Sequence, residues 1–158
     1  MIGVILAVVL PLIFLNRKKK EPIIIYPFSP EIYMRPGDVI FFRKVNDTRF
    51  YNNITQINQW DKRMSQLARQ HTSYMIEKSI YSHDNIEMRR EELFKAGIKK
   101  YGEIVGRTDS DVADLVRRFI ASPDHYKEMI NPEYNCVGLS IQANDFGTLY
   151  GTMIFAKI

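Results

Sequence analysis

The sequence predicts an α+β domain, on three observations. Stretches of helical period fill the middle of the chain, a short β-type run, KKYGEIVGR, follows two of them, and two further β-type runs close it. The closing runs, CVGLSIQA and TLYGTMIFAKI, flank NDFG, whose residues suit a tight turn, so they form a hairpin. That hairpin holds more apolar residues than one buried face needs, so helices must cover the sheet.

The chain begins differently. MIGVILAVVLPLIFL is uncharged and nearly all apolar, and NRKKK follows at once. As a helix it would be roughly 22 Å long, short of a hydrocarbon core of about 30 Å, a shortfall that snorkelling lysines and local thinning can reduce. No cation precedes the run and no small-x-small site follows it, so it is not a cleaved signal peptide. Residues 1–20 are therefore predicted to be a single-pass N-terminal membrane-anchor helix with a basic flank. Residues 21–37, with Pro22, Pro27, Pro30 and Pro36, read as an extended stem, and residues 38–158 as the folded domain.

At 158 residues, 46% hydrophobic and 25% charged, the chain has room for one domain with a substantial core. Its formal charge of +4 comes wholly from Arg17, Lys18, Lys19 and Lys20. Without those four, 18 basic residues face 18 acidic ones. The body is neutral, which argues against nucleic acid as a partner. Cys136 stands alone, so neither an intrachain disulfide nor a cysteine-based zinc site can form.

Within the domain, Asp38 is a plausible cap for a helix to about Phe50. DKRMSQLARQHTSYMIEKSIY is the clearest helix, with Met64, Leu67, Ala68, His71, Met75 and Lys78 on one stripe. His71 lies on that stripe and reads as a core histidine. NIEMRREELFKAG is a second helix, opened by Asp84 or Asn85 and stopped by Gly97. A third follows Ser110, with Val112, Leu115, Val116, Phe119 and Ile120 on one face and Arg117 and Arg118 on the other. The last, a short one, opens at Ser122-Pro123, an N-cap and a favoured first position, which makes His125 the third helical residue. Placed there, its imidazole is held neutral and keeps a lone pair.

Three residues stand off the stripes: His83, Glu103 and His125. Two imidazoles and a carboxylate can hold a divalent cation such as zinc or carry out general acid–base chemistry, provided the fold brings them together.

From about Val45 to Phe155 the chain resembles the CAP superfamily (cysteine-rich secretory proteins, antigen 5, pathogenesis-related 1), especially its short bacterial SCP-like members. The residues that carry the resemblance are Asn46 and Arg49, then Met64 to His71, Tyr81-Ser82-His83, and Gly102-Glu103. Phe119 to His125 and Tyr134 to Ser140 complete the series. The resemblance implies a three-layer α–β–α sandwich with an antiparallel sheet. It also implies a cleft lined by two histidines and two acids, of which His83, Glu103 and His125 match three. Ser122 occupies the place of the fourth, with Asp124 a possible substitute. Ile104 and Tyr126 also depart from the pattern, so any zinc or other divalent cation is expected to bind weakly.

Two functions follow as expectations. One is a membrane-tethered binding module at the cell envelope, with a lipid, peptide or glycan ligand. The other is a hydrolase acting on peptide or cell-wall bonds, in which His125 or Glu103 activates water. No Gly-x-Ser-x-Gly motif or Cys–His pairing supplies a nucleophile. For sidedness the signals conflict. The basic flank favours a cytoplasmic domain, whereas the resemblance implies an extracytoplasmic one, and the short anchor tips the reading outward.

Overall fold

The structure, a computed structural model, describes residues 34–158. The predicted anchor over 1–20 and almost all of the stem lie outside the described residues. Among those described, no helix is long and apolar enough to cross a membrane.

The elements run α1 (Pro36–Tyr51), β1 (Gln59–Trp60), α2 (Lys62–Lys78), α3 (Ile86–Lys95), β2 (Lys100–Thr108), α4 (Val112–Ala121), α5 (Pro123–Met129), β3 (Cys136–Ala143) and β4 (Leu149–Lys157). The strands form one sheet in the order β1-β3-β4-β2. The predicted hairpin pairs Cys136 with Ala156 through Ala143 with Leu149, and Gly147 takes a left-handed φ of 83° in its turn. β2 pairs antiparallel with β4 along its whole length and forms one edge of the sheet. β1 has no counterpart among the predicted elements. It is two residues long, parallel to β3, and too short for any alternation to register.

Alternation along β4 shows why helices must flank the sheet on both sides. Met153 and Phe155 join Phe41, Phe42, Val45, Leu115, Phe119 and Met129 in one core, under α1, α4 and α5. Ile154 and Ala156 point the other way, toward Met64 and Ala68 of α2 and Leu93 of α3. The sheet is thus buried on both faces, as its apolar content requires.

Helix ends depart from expectation in two places. α1 starts at Pro36, not beyond Asp38, so Pro36 opens a helix instead of closing the stem. Asp38 is its third residue: one carboxylate oxygen accepts from the Arg35 N–H (3.1 Å) and the other from the Ile141 N–H (2.7 Å), fixing the start of α1 to β3. Ser122 does occupy the N-cap of α5, but its hydroxyl makes no capping bond. Gly97 takes the expected left-handed conformation after α3, with φ at 81°.

Side chains of α1 complete the frame. The Asn46 amide bonds both backbone groups of Ile57 (2.9 and 2.8 Å), leading the chain into β1. The fully buried Arg49 donates to the carbonyls of Thr55 (2.8 Å), Met129 (2.9 Å), Asn131 (2.9 Å) and Tyr134 (3.1 Å). Burial alone draws its guanidinium down to about 10.

On the opposite face α2 lies directly on β3. A Cβ on Gly138 would stand 2.3 Å from both the Met64 Cβ and the Ser65 backbone nitrogen, neither of which can swing aside. Gly138→Ala is therefore expected to destabilise the domain by about 3 kcal/mol or more, measured as a fall in the chemical denaturation midpoint; a near-neutral result would mean that α2 does not seat this closely.

Candidate functional site

The cleft lies at the β2 edge of the sheet, between the α2–α3 connection and α5. His83 belongs to that connection, Glu103 to β2, and His125 is the third residue of α5. The fold brings all three onto one cavity of about 530 Å³, which Ser122, Asp124, Lys127 and Glu128 also line.

Glu103 is the pivot. Its side chain is 3% exposed, as is that of Arg89 at 2%, and the two form a bidentate pair: Nε to Oε2 at 2.6 Å and Nη2 to Oε1 at 2.6 Å. His83, 44% exposed, places Nδ1 2.9 Å from Oε1. Desolvation by itself would raise the Glu103 carboxyl; hydrogen bonds from His83 and Arg89, with the Arg89 charge, outweigh it and hold the group below its usual range. Arg89 also donates through Nη1 to the Asp84 carbonyl (2.8 Å) and faces His71 Nδ1 at 2.9 Å. His71 Nε2 lies 2.7 Å from the Ser82 carbonyl. Since Arg89 can only donate, His71 Nδ1 accepts and Nε2 carries the proton. His71 is indeed a buried, fully bonded core histidine, whose ring burial and the adjacent Arg89 hold below 6.5.

His125 makes no hydrogen bond among the described residues and meets the Phe119 ring edge-on, with centroids 5.0 Å apart. Burial, with the nearby His83, lowers its pKa below 6.5 and so favours the neutral ring, for reasons other than the helix end invoked from the sequence. α5 is held at both ends of the cleft. The Tyr126 hydroxyl donates to Asn52 at the end of α1 (2.7 Å), and that of Tyr134 donates to Glu128 (2.7 Å), whose carboxylate lies over Gly102.

Sequence reasoning missed Arg89. It received no role within the NIEMRREELFKAG helix, yet it falls four residues before the buried Leu93, on the inward face of α3. A charge on an otherwise buried stripe was the available signal. In place of the fourth acid stands Ser122, and Ile104 faces the core fully buried instead of offering an amide.

The donor set fits a metal poorly. Both Glu103 oxygens are taken by Arg89, and although Asp124 and Glu128 line the same cavity, neither completes with His83 and His125 the three protein ligands of an open zinc site. Among the described residues no three His, Cys, Asp or Glu side chains are grouped to hold an ion.

The comparisons agree with this architecture. The model of the cysteine-rich secretory protein family, CAP, matches residues 42–155. Similar solved structures include an outer surface protein of Borrelia burgdorferi (16% identity, TM-score 0.67, covering 82% of this chain and 96% of that one). An extracellular protein of Bacillus anthracis containing an SCP domain is 20% identical, with TM-score 0.64 over 84% of this chain and 45% of that one. A cysteine-rich secretory protein of Staphylococcus aureus is 18% identical, with TM-score 0.62 over 76% and 38%. At these identities the likeness shows the fold. No curated protein sequence matches the chain.

Two predictions follow from the buried pair. Arg89→Met strands an ionised Glu103 and is expected to cost about 3–5 kcal/mol, whereas Arg89→Met with Glu103→Met should recover much of that; equal stabilities of the single and double variants would show that the pair is not what holds the cleft wall. On pH, His71 and His125 are held below 6.5 and so bind protons less readily folded than unfolded. Their contribution is complete above 6.5 and lost as pH falls through the folded values, and that of Glu103, also depressed, is lost only below 4.5. The unfolding temperature should therefore begin to fall below about pH 6.5 in the wild type. His125→Phe should blunt the first part of that decline.

Proposed function

Because the chain belongs to the cysteine-rich secretory protein (CAP) family, with a cleft whose buried carboxylate is fully engaged, we propose that its domain is a binding module at the cell envelope. The observation that carries this is the bidentate Arg89–Glu103 pair. It removes Glu103 as a general base and as a metal ligand, so Glu103 shapes the cleft and does not drive chemistry in it. What remains toward the ligand is His83 Nε2, the unbonded His125, and the polar groups of Ser122, Asp124, Lys127 and Glu128. Such a set offers orienting hydrogen bonds to a lipid headgroup, a peptide or a glycan.

The domain faces outward in this reading, tethered through residues 1–20. Two of the similar structures are described as an outer surface protein and an extracellular protein, which supports that side over the cytoplasmic one argued by the basic flank.

Hydrolysis is the second reading, and one observation favours it. With Nδ1 against Glu103, His83 keeps Nε2 without a partner among the described residues, which is how a carboxylate orients a histidine base. The cleft accompanies it with neither a recognised nucleophile motif nor three metal donors.

The test is retention. Full-length protein purified in detergent is passed over immobilised envelope lipids, peptides and cell-wall glycans. One class should be retained, and His83→Ala with His125→Ala should weaken it at least about tenfold, or 1.4 kcal/mol. Retention unaffected by both changes would place the ligand elsewhere, and turnover of a retained substrate that His125→Ala abolishes would favour the hydrolase.

A further inference from the structure

A second cavity, of about 460 Å³, adjoins the histidine cleft and shares Ser122 and His125 with it. It continues along β2 over Val105, Gly106 and Arg107, and Leu115 and Phe119 of α4 close its far side. Gly106 makes that packing possible, since a Cβ there would stand 2.8 Å from the Phe119 ring. Leu115 and Phe119 make that side of the cavity apolar.

The rim is rich in unused donors. The Arg107 guanidinium lies over the Tyr81 ring, 5.6 Å from its centroid, and is exposed with no acceptor among the described residues. Arg118 holds Asp114 through Nε (2.7 Å), and its terminal nitrogens have no hydrogen-bond acceptor among the described residues. The Ser122 hydroxyl and the His125 ring make no hydrogen bonds among the described residues either. One carboxylate, Asp109, lines the cavity and accepts from the Thr148 hydroxyl (2.7 Å); Asp114 stands behind Arg118 and also accepts from Arg117 (3.0 Å). Two guanidinium groups thus face the cavity against one carboxylate. A guanidinium fixed on an aromatic face presents paired N–H groups that match the oxygens of a carboxylate or phosphate.

We infer that this cavity binds the anionic end of an amphiphilic ligand: a carboxylate or phosphate on Arg107 and Arg118, with the adjoining apolar body against Phe119 and Leu115. The rest of the ligand passes over His125 into the histidine cleft. This rests on reading that cleft as a binding site, and it adds the ligand's chemical class.

Calorimetry on the full chain in a maltoside detergent tests it, with phenyl phosphate as the probe and benzoate, phenol and inorganic phosphate beside it. Phenyl phosphate should bind at least about tenfold more tightly than phenol or inorganic phosphate, and Arg107→Gln should remove about tenfold of that affinity. Tyr81→Leu should lower it about threefold by releasing the guanidinium. Benzoate against phenyl phosphate tells a carboxylate site from a phosphate site. Equal binding of phenyl phosphate and phenol overturns the anionic assignment, equal binding of phenyl phosphate and inorganic phosphate overturns the apolar one, and an unchanged Arg107→Gln overturns both. If those failures occur while the envelope ligand is still lost with His83→Ala and His125→Ala, the subsite alone falls; if that loss is absent too, the binding reading falls with it.

Discussion

The cleft depends on one ion pair out of solvent. Arg89 and Glu103 are each nearly inaccessible, and two charges so placed must satisfy one another and their remaining hydrogen-bonding positions or the fold does not hold. They do so through partners on four segments. His71 comes from α2, Asp84 and His83 from the connection after it, Arg89 from α3, and Glu103 from β2. The network is therefore a joint between helices and sheet, and it reaches solvent at His83 and Asp84. A cleft side chain fixed in this way comes preoriented, which lowers the entropy lost when a ligand is bound.

A second buried arginine does the same for the opposite wall. Among the described residues Arg49 has no carboxylate beside it. Its charge is distributed over four carbonyls, two of which, Met129 and Asn131, lie at the end of α5. A short helix would otherwise be poorly anchored, since seven residues form few internal bonds. With its far end fixed by Arg49 and its near end resting on Phe119, α5 has little freedom to move His125. The two histidines of the cleft are thus set by two different arginines, one from each helical layer. The sheet edge between them supplies Glu103.

What was legible in the sequence was whatever rests on periodicity. The stripe from Met64 to Met75, the left-handed stop at Gly97 and the hairpin around Gly147 all follow from local rules, and all appear in the structure. The motif order also located the three cleft residues, although 42 positions separate His83 from His125. What could not be read is whatever depends on tertiary contact. β1 exists only because β3 offers it an edge. Ser122 was expected to cap α5 through its hydroxyl, but helix initiation there rests on Pro123 and the backbone, and the side chain stays unbonded in the cleft. Arg89 and Arg90 are adjacent and chemically alike, yet one is buried and the other exposed. Only the phase of α3 against the sheet separates them.

These points bear on what the buried carboxylate of the cleft can do. A general base needs a free lone pair near neutral pH on a group that can release the proton again. Arg89 keeps Glu103 ionised but surrounds it with donors, so the carboxylate is a poor proton acceptor despite its charge. A cation faces a similar obstacle, since it would have to compete with a guanidinium already in bidentate contact. Replacing an acid by Ser122 removes a further negative charge from the same wall. The cleft then presents two imidazoles, a hydroxyl and the Asp124 and Glu128 carboxylates beside the two arginines of the neighbouring cavity. The guanidinium seated on Glu103 sets the character of this wall, and it follows from the residues that fill these positions whatever the wider family does with the same fold.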